Sequence, residues 1–265
     1  MASQFPFRRR LRNPLRRRSD HEQRRFRRGV YILPSLFTLG NLFCGYACVI
    51  YATRGEYEKA APFIGIAVVL DMLDGRIARM MGSTSEFGLQ FDSLADVISF
   101  GMAPAILSFQ WGLASLGRLG WAAAFLFVTA AALRLARFNI QAPTGDKRYF
   151  VGMPSPAAAG IPAATVFLYP SGLHDPQEAL PALAMVLVPA LLMVSTIRFR
   201  SFKAIGSRTR RPYRVLILFA AFIALLVTHP QWMLVALAYG YLLSAFIGLA
   251  WTKLRRRPSV EPMAG

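Results

Sequence analysis

The chain has 265 residues, 55% of them hydrophobic and only 17% charged, with a net charge of +18 and 20 Phe. Soluble domains carry about 25% charged residues, so a soluble nucleic-acid binder is disfavoured despite the basic balance. Disorder is excluded by the apolar content, and two Cys cannot staple a disulfide scaffold; what remains is an integral membrane protein with a basic aqueous face.

Residues 1–29 form a basic arm, with eleven Arg against Asp20 and Glu22. The arm has no apolar run and no small-residue cleavage site, so it does not read as a signal peptide. It reads as a cytoplasmic segment drawn to anionic headgroups, worth about 1 kcal/mol per basic residue near the surface. An RNA-binding arm is the sharper alternative; nucleic acid is not the expected partner.

From residue 30 the chain is a series of apolar stretches of the length a helix needs to cross hydrocarbon. They lie near 31–53, 60–81, 91–113, 121–139, 155–170, 181–197, 213–229 and 231–252. The fold class expected is all-α: a polytopic transmembrane bundle of about eight spans, with six spans plus two re-entrant segments as the alternative. Pro104 predicts a kink inside the third span. The fifth, with Pro156 and Pro162, has the least defined limits. No period-2 alternation supports an outer-membrane barrel.

With the N-terminus inside, eight spans place 28 of the 31 Lys and Arg on the cytoplasmic side and only Arg54, Lys59 and Arg118 outside. That asymmetry predicts a multi-pass protein of the cell (inner) membrane with both termini cytoplasmic. Four units follow: the arm, a membrane unit over 30–200, two further spans with a basic loop over 201–252, and a basic tail over 253–265.

Nine of the thirteen acidic residues fall in tails or loops; Asp71, Asp74, Asp92 and Asp96 fall within or at the edge of spans two and three. An ionisable group there is costly and marks function by default. Asp71, Asp74, Gly75 and Ala78 are i, i+3, i+4, i+7, and Gly88, Asp92 and Asp96 are i, i+4, i+8, so each set shares a helix face. A short link at 82–87 would fold the two faces together at the cytoplasmic end. Four carboxylates there make an oxygen-rich cage for Mg²⁺, Mn²⁺ or Ca²⁺, while small residues leave room for a substrate. Arg76 and Arg79 are too few to balance four Asp as mere membrane-end charges. A charge-lined channel or cation carrier remains the alternative from another functional class.

Other motifs are weaker. Cys44 and Cys48 lack further ligands for zinc and read as packing residues. His21, His174 and His229 have no Lys two residues on, so a His-x-Lys nucleophile is absent. No Walker A or G-x-G-x-x-G run appears.

The run Asp71-x2-Asp74-Gly75-x2-Ala78-Arg79-x8-Gly88-x3-Asp92-x3-Asp96 resembles, at every fixed position, the signature of the CDP-alcohol phosphatidyltransferase family. Eight fixed positions match by chance on the order of 10⁻¹⁰ per start point at average composition. The resemblance implies the fold of that family and transfer of a phosphatidyl group from a CDP-linked lipid to an alcohol, with release of CMP. It implies two divalent ions, Mg²⁺ or Mn²⁺, on Asp71, Asp74, Asp92 and Asp96, with Asp96 as general base. Asp74, Gly75, Ala78, Arg79 and Gly88 would border the CDP-lipid, with Thr38 and Asn41 as weaker nucleotide contacts. A homodimer is also implied.

Flanking runs are similar to the phosphatidylserine synthase branch of the family. They are Pro34 to Gly45, Ser99 to Ala105, Leu133 to Asn139 and Phe150 to Gly160. The resemblance therefore implies CDP-diacylglycerol as donor and L-serine as acceptor; glycerol 3-phosphate, inositol and choline stay open. Arg134 and Arg137, i and i+3, with Asn139 beyond, are the candidates for serine or lipid phosphate, a planar Arg fork suiting a carboxylate. Positive-inside anchoring is their plainer reading. The last two spans carry no legible motif.

Overall fold

The structure is a computed structural model describing residues 35–81, 85–141, 149–195, 198–200 and 212–255. Helix α1 covers Ser35–Thr53. It turns within three residues, through Gly55 at φ +76°, into α2, Tyr57–Met81. Helix α3, Glu86–Asp96, runs on through a π-helical segment, Val97–Met102, into α4, Ala103–Trp111. Then follow α5 (Arg118–Gln141), α6 (Ser155–Leu168), α7 (Pro176–Val194), α8 (Pro212–Thr228) and α9 (Pro230–Arg255). Each of the eight expected spans corresponds to one helical rod, and the protein is a helical, multi-pass membrane protein. Among the described residues, Ser35–Thr53, Glu86–Trp111, Arg118–Ile140 and Pro176–Val194 are long and apolar enough to cross a membrane by themselves. Helix α2 carries Asp71, Asp74 and Arg76, and α6 has only 14 residues. At 1.5 Å per residue α6 spans about 21 Å, short of a 30 Å core.

Helix α1 shows how the bundle is built. Leu36, Leu39, Phe43 and Tyr46 are all more than half exposed, whereas Thr38, Asn41, Cys48 and Ala52 face inward and are buried. Large apolar residues point out and small or polar ones point in, the reverse of a soluble helix. In lipid, association depends on close packing and interhelical hydrogen bonds, which small and polar residues supply. The same logic makes α6 the central rod. Its Ala158, Ala159, Ala163 and Ala164 are buried, and it packs against α2, α4, α7 and α9.

The bend expected at Pro104 takes a different form. Pro has no N–H to give the preceding turn, and the chain absorbs this by widening that turn. The Ala103 N–H bonds to the Ile98 carbonyl, five residues back. Such π segments cluster at functional sites, and this one begins immediately after Asp96. A further departure is a pair of three-residue antiparallel strands, β1 (Tyr149–Val151) and β2 (Arg198–Arg200), joining two inter-helix connections with Tyr149 opposite Arg200. At the other end of the bundle, hydrogen bonds lace helix ends together. The Tyr57 hydroxyl donates to the Gln110 carbonyl at 2.6 Å, and Trp111 Nε1 donates to the Tyr169 carbonyl at 2.7 Å.

Candidate active site

Two helices supply the acids and a third holds them. The α3 N-terminus is set by Ser85, whose Oγ accepts from the Gly88 N–H at 3.0 Å, placing Gly88 in the first turn. Asp92 and Asp96 follow on the face turned to α2. Asp71, Asp92 and Asp96 each offer a carboxylate oxygen, and the three lie within 4.8 Å of one another. Asp74 turns instead to α1, where its Oδ2 accepts from the Thr38 hydroxyl. The structure thus gathers three of the four expected acids and seats the fourth beside them on Thr38.

Asp96 is fixed from α1 as well. Asn41 Nδ2 donates to Asp96 Oδ1 at 3.2 Å, and the Asn41 backbone carbonyl accepts from Ser99 Oγ at 2.9 Å. This contact needs Gly45, because a Cβ there would stand 2.8 Å from the Ser99 Cα. Thr38 and Asn41, expected against the nucleotide, contact the carboxylates themselves.

Three carboxylates this close repel by about 3 kcal/mol per pair at an effective dielectric of 20. The donor set is all oxygen, which suits a hard divalent cation. Asp92 Oδ1 and Asn41 Oδ1 are buried with no hydrogen-bond partner among the described residues, and a bound ion is one of the things that satisfies such an oxygen. The residues present therefore fit a divalent cation.

The three α5 candidates separate. Arg134 Nη1 donates to the buried Ser155 hydroxyl at 2.6 Å, and its guanidinium lies in electrostatic range of Asp96 and Asp71. Arg137 Nη1 instead donates to the Val194 carbonyl at 3.1 Å, capping the end of α7. Asn139 Nδ2 donates to Ser93 Oγ at 3.0 Å, tying α5 to α3. Of the three, Arg134 is the one placed with the acids. Gly75 is half-buried on α2. The backbones of Ala78 and Arg79 belong to that helix, and their side chains lie outside the described residues.

Sequence reasoning gave no role to Ser99, Ser155 or Gly45, although all three lie in the flanking runs that resemble the family. The two serines had a signal, being polar residues inside apolar runs where a hydroxyl bonds between helices.

The CDP-alcohol phosphatidyltransferase family model matches residues 31–195, more than half of the chain. The chain belongs to that family. Among individual proteins it is similar to the CDP-diacylglycerol–serine O-phosphatidyltransferase of Helicobacter pylori, at 38% identity over 203 residues, 76% of this chain and 84% of the relative. It is 34% identical over 179 residues to the archaetidylserine synthase of Methanothermobacter thermautotrophicus, covering 67% of this chain and 73% of that one. The Bacillus subtilis CDP-diacylglycerol–serine O-phosphatidyltransferase is 32% identical over 176 residues, 64% of this chain and 91% of the relative. The family match spans α1 to α7, so the phosphatidyltransferase signature and every acid of the cluster lie within it.

Proposed function

We propose that this chain transfers the phosphatidyl group of CDP-diacylglycerol to the hydroxyl of L-serine, giving phosphatidylserine and CMP. The carboxylate cluster at the α2–α3 junction supports the reaction class, and relatives whose names specify serine as acceptor support the acceptor. Phosphoryl transfer asks a protein mainly for alignment and charge stabilisation. Asp71, Asp92 and Asp96, with Asp74 alongside, would hold two divalent ions, Mg²⁺ or Mn²⁺. When bound, such ions neutralise the pyrophosphate and the departing CMP phosphate.

The remaining steps belong to side chains of this chain. The serine hydroxyl oxygen forms a bond to the phosphorus that carries the diacylglycerol, and the bond from that phosphorus to the CMP oxygen breaks. Asp96 accepts the hydroxyl proton. Its Oδ1 is held by Asn41, which leaves Oδ2 to take the proton. Arg134 receives the serine carboxylate on the guanidinium nitrogens that Ser155 does not occupy. Gly75, Ala78, Arg79 and Gly88 border the CDP-lipid. The distribution of Lys and Arg supports a cytoplasmic site in the cell membrane with anionic lipid at the basic arm, and the family resemblance supports a homodimer.

Membranes containing the chain are to be incubated with CDP-diacylglycerol and, in turn, L-serine, glycerol 3-phosphate, inositol and choline, with CMP release as the readout. Serine alone should support release. Release with another alcohol and none with serine refutes the acceptor; cation flux without CMP release under any alcohol refutes the enzyme.

A further inference from the structure

Among the described residues, two buried side-chain polar atoms have no hydrogen-bond partner, Asp92 Oδ1 and Asn41 Oδ1. Both adjoin Asp96. Asp92 stands with it and Asp71 in the carboxylate trio, and Asn41 Nδ2 donates to Asp96 Oδ1 at 3.2 Å. Asn41 is fully buried and is fixed at both ends, its backbone carbonyl by Ser99 Oγ at 2.9 Å and its amide by Asp96. Charge sets the orientation of that amide. An ionised carboxylate accepts and does not donate, so Nδ2 is the end that meets Asp96, and Oδ1 is left over. The two polar atoms of one amide are about 2.2 Å apart, which keeps Oδ1 within about 5.4 Å of the Asp96 oxygen, at the edge of the trio.

We infer that Asn41 Oδ1 is a direct ligand of a divalent ion held by the acids, so that α1 adds a neutral oxygen to the carboxylates of α2 and α3. The inference rests on the reading that the acid cluster holds such an ion. Orienting Asp96 does not by itself account for an asparagine. Thr38 does that task for Asp74 with a single hydroxyl, which the bond itself partners. Asn41 brings a second polar atom that the task does not use, and a buried acceptor without a partner is destabilising. A hard cation satisfies it. Such ions take six or more oxygens, amide carbonyls among them, and three carboxylates giving one oxygen each leave positions to fill. A neutral oxygen fills one without adding a like charge to carboxylates already within 4.8 Å of one another. One amide then does two things: Nδ2 holds Asp96 in place, and Oδ1 binds the ion beside it.

The chain has three asparagines, Asn13, Asn41 and Asn139, so a ¹³C label on the side-chain carbonyl of asparagine reports on few positions. The labelled full-length chain is placed in lipid nanodiscs with one equivalent of Mn²⁺, with and without CDP-diacylglycerol. Pulsed electron–nuclear double resonance then reads ¹³C couplings to the bound Mn²⁺. The strong coupling of a directly bound carbonyl should appear, and should persist in the Asn13→Ala, Asn139→Ala double variant. This arm changes nothing at Asn41 and so does not depend on a variant there folding. In Asn41→Leu, which keeps the branched shape but has no oxygen, the coupling should vanish and Mn²⁺ affinity should fall about tenfold or more. A coupling lost in the double variant overturns the inference, because Asn13 or Asn139 then carries it. Bound Mn²⁺ that Asp71→Asn weakens, with no ¹³C coupling in either lipid condition, also overturns it and leaves Asn41 an orienting group, while the cation reading stands. If the unmodified chain binds no Mn²⁺ that Asp71→Asn weakens, the cation reading fails first and takes this inference with it.

Discussion

Gly45 lies outside the acid cluster, yet adding one methyl group there should cripple turnover. A Cβ at Gly45 would stand 2.5 Å from Ser99 Oγ and 2.8 Å from Ser99 Cα. Carbon atoms settle at about 3.5–4.0 Å, and a backbone atom cannot swing aside as a side-chain tip can. In Gly45→Ala, α1 and the π segment must therefore separate by about 1 Å at this level. Two hydrogen bonds cross the same seam, Ser99 to the Asn41 carbonyl at 2.9 Å and Asn41 to Asp96 at 3.2 Å. Adding about 1 Å to either leaves no hydrogen bond. Asp96 then loses the group that orients it.

A misplacement of about 1 Å at a reacting group costs about 10²-fold in rate, while overpacking costs about 1–3 kcal/mol in stability. Gly45→Ala should therefore release CMP about 10²-fold more slowly under saturating substrates, at a temperature well below its lowered thermal midpoint. Gly65→Ala on α2 is the control, since a Cβ there meets nothing within 4 Å. It should keep its activity and gain up to about 1 kcal/mol, the difference between Gly and Ala in a helix. Full turnover per folded Gly45→Ala molecule would refute the coupling of α1 to Asp96, whatever its stability.

Asp96→Asn keeps an oxygen ligand but removes the basic site, so turnover should drop about 10²–10⁴-fold, with CDP-lipid binding partly retained and no rescue by excess Mn²⁺. Asp71→Asn should weaken donor binding and regain activity as Mn²⁺ rises; full rescue of Asp96→Asn in the same titration would leave that residue a ligand only. Gly152→Ala forces φ +84° on a residue with a Cβ and drives that Cβ into the Met193 carbonyl oxygen. Its thermal midpoint should fall by the equivalent of about 2 kcal/mol, and an unchanged midpoint would show that the turn before α6 relaxes freely. Asn139→Ala should lose about 1 kcal/mol with its bond to Ser93 and leave the serine KM unmoved; a raised KM would return Asn139 to the acceptor site.

The acid cluster was legible because its cost in hydrocarbon leaves few innocent explanations, and because the i, i+3 and i, i+4 spacings put each set on one face. The split between Asp74 and the other three was not legible. Spacing on α2 says that Asp71 and Asp74 share a face, but the Thr38 hydroxyl on α1 decides which of them turns away. Pro104 announced a missing N–H; whether the helix kinks or takes in an extra residue depends on the packing of α5 and α1 around it. Arg134 and Arg137 look equivalent at i and i+3, until α7 ends beside one and Ser155 stands beside the other. The β1–β2 pair joins residues about fifty positions apart in runs too short to show alternation.

These positions share a physical cause. In water a helix can be held by its apolar face while its polar residues are reserved for chemistry. In hydrocarbon the apolar face has no preference for protein over lipid, so interhelical hydrogen bonds hold the helices, each worth about 0.6 kcal/mol and at most about 1.7. Among those bonds here are Thr38 to Asp74, Asn41 to Asp96, Ser99 to the Asn41 carbonyl and Arg134 to Ser155. Each of these four touches a residue of the candidate site or the residue that orients it. The groups that position the acids also join α1 to α2, α1 to the π segment and α5 to α6. A substitution at the site therefore loosens a helix seam, and a substitution in a seam moves the site. Stability and turnover must be measured together on variants at these four bonds, because there neither is altered alone.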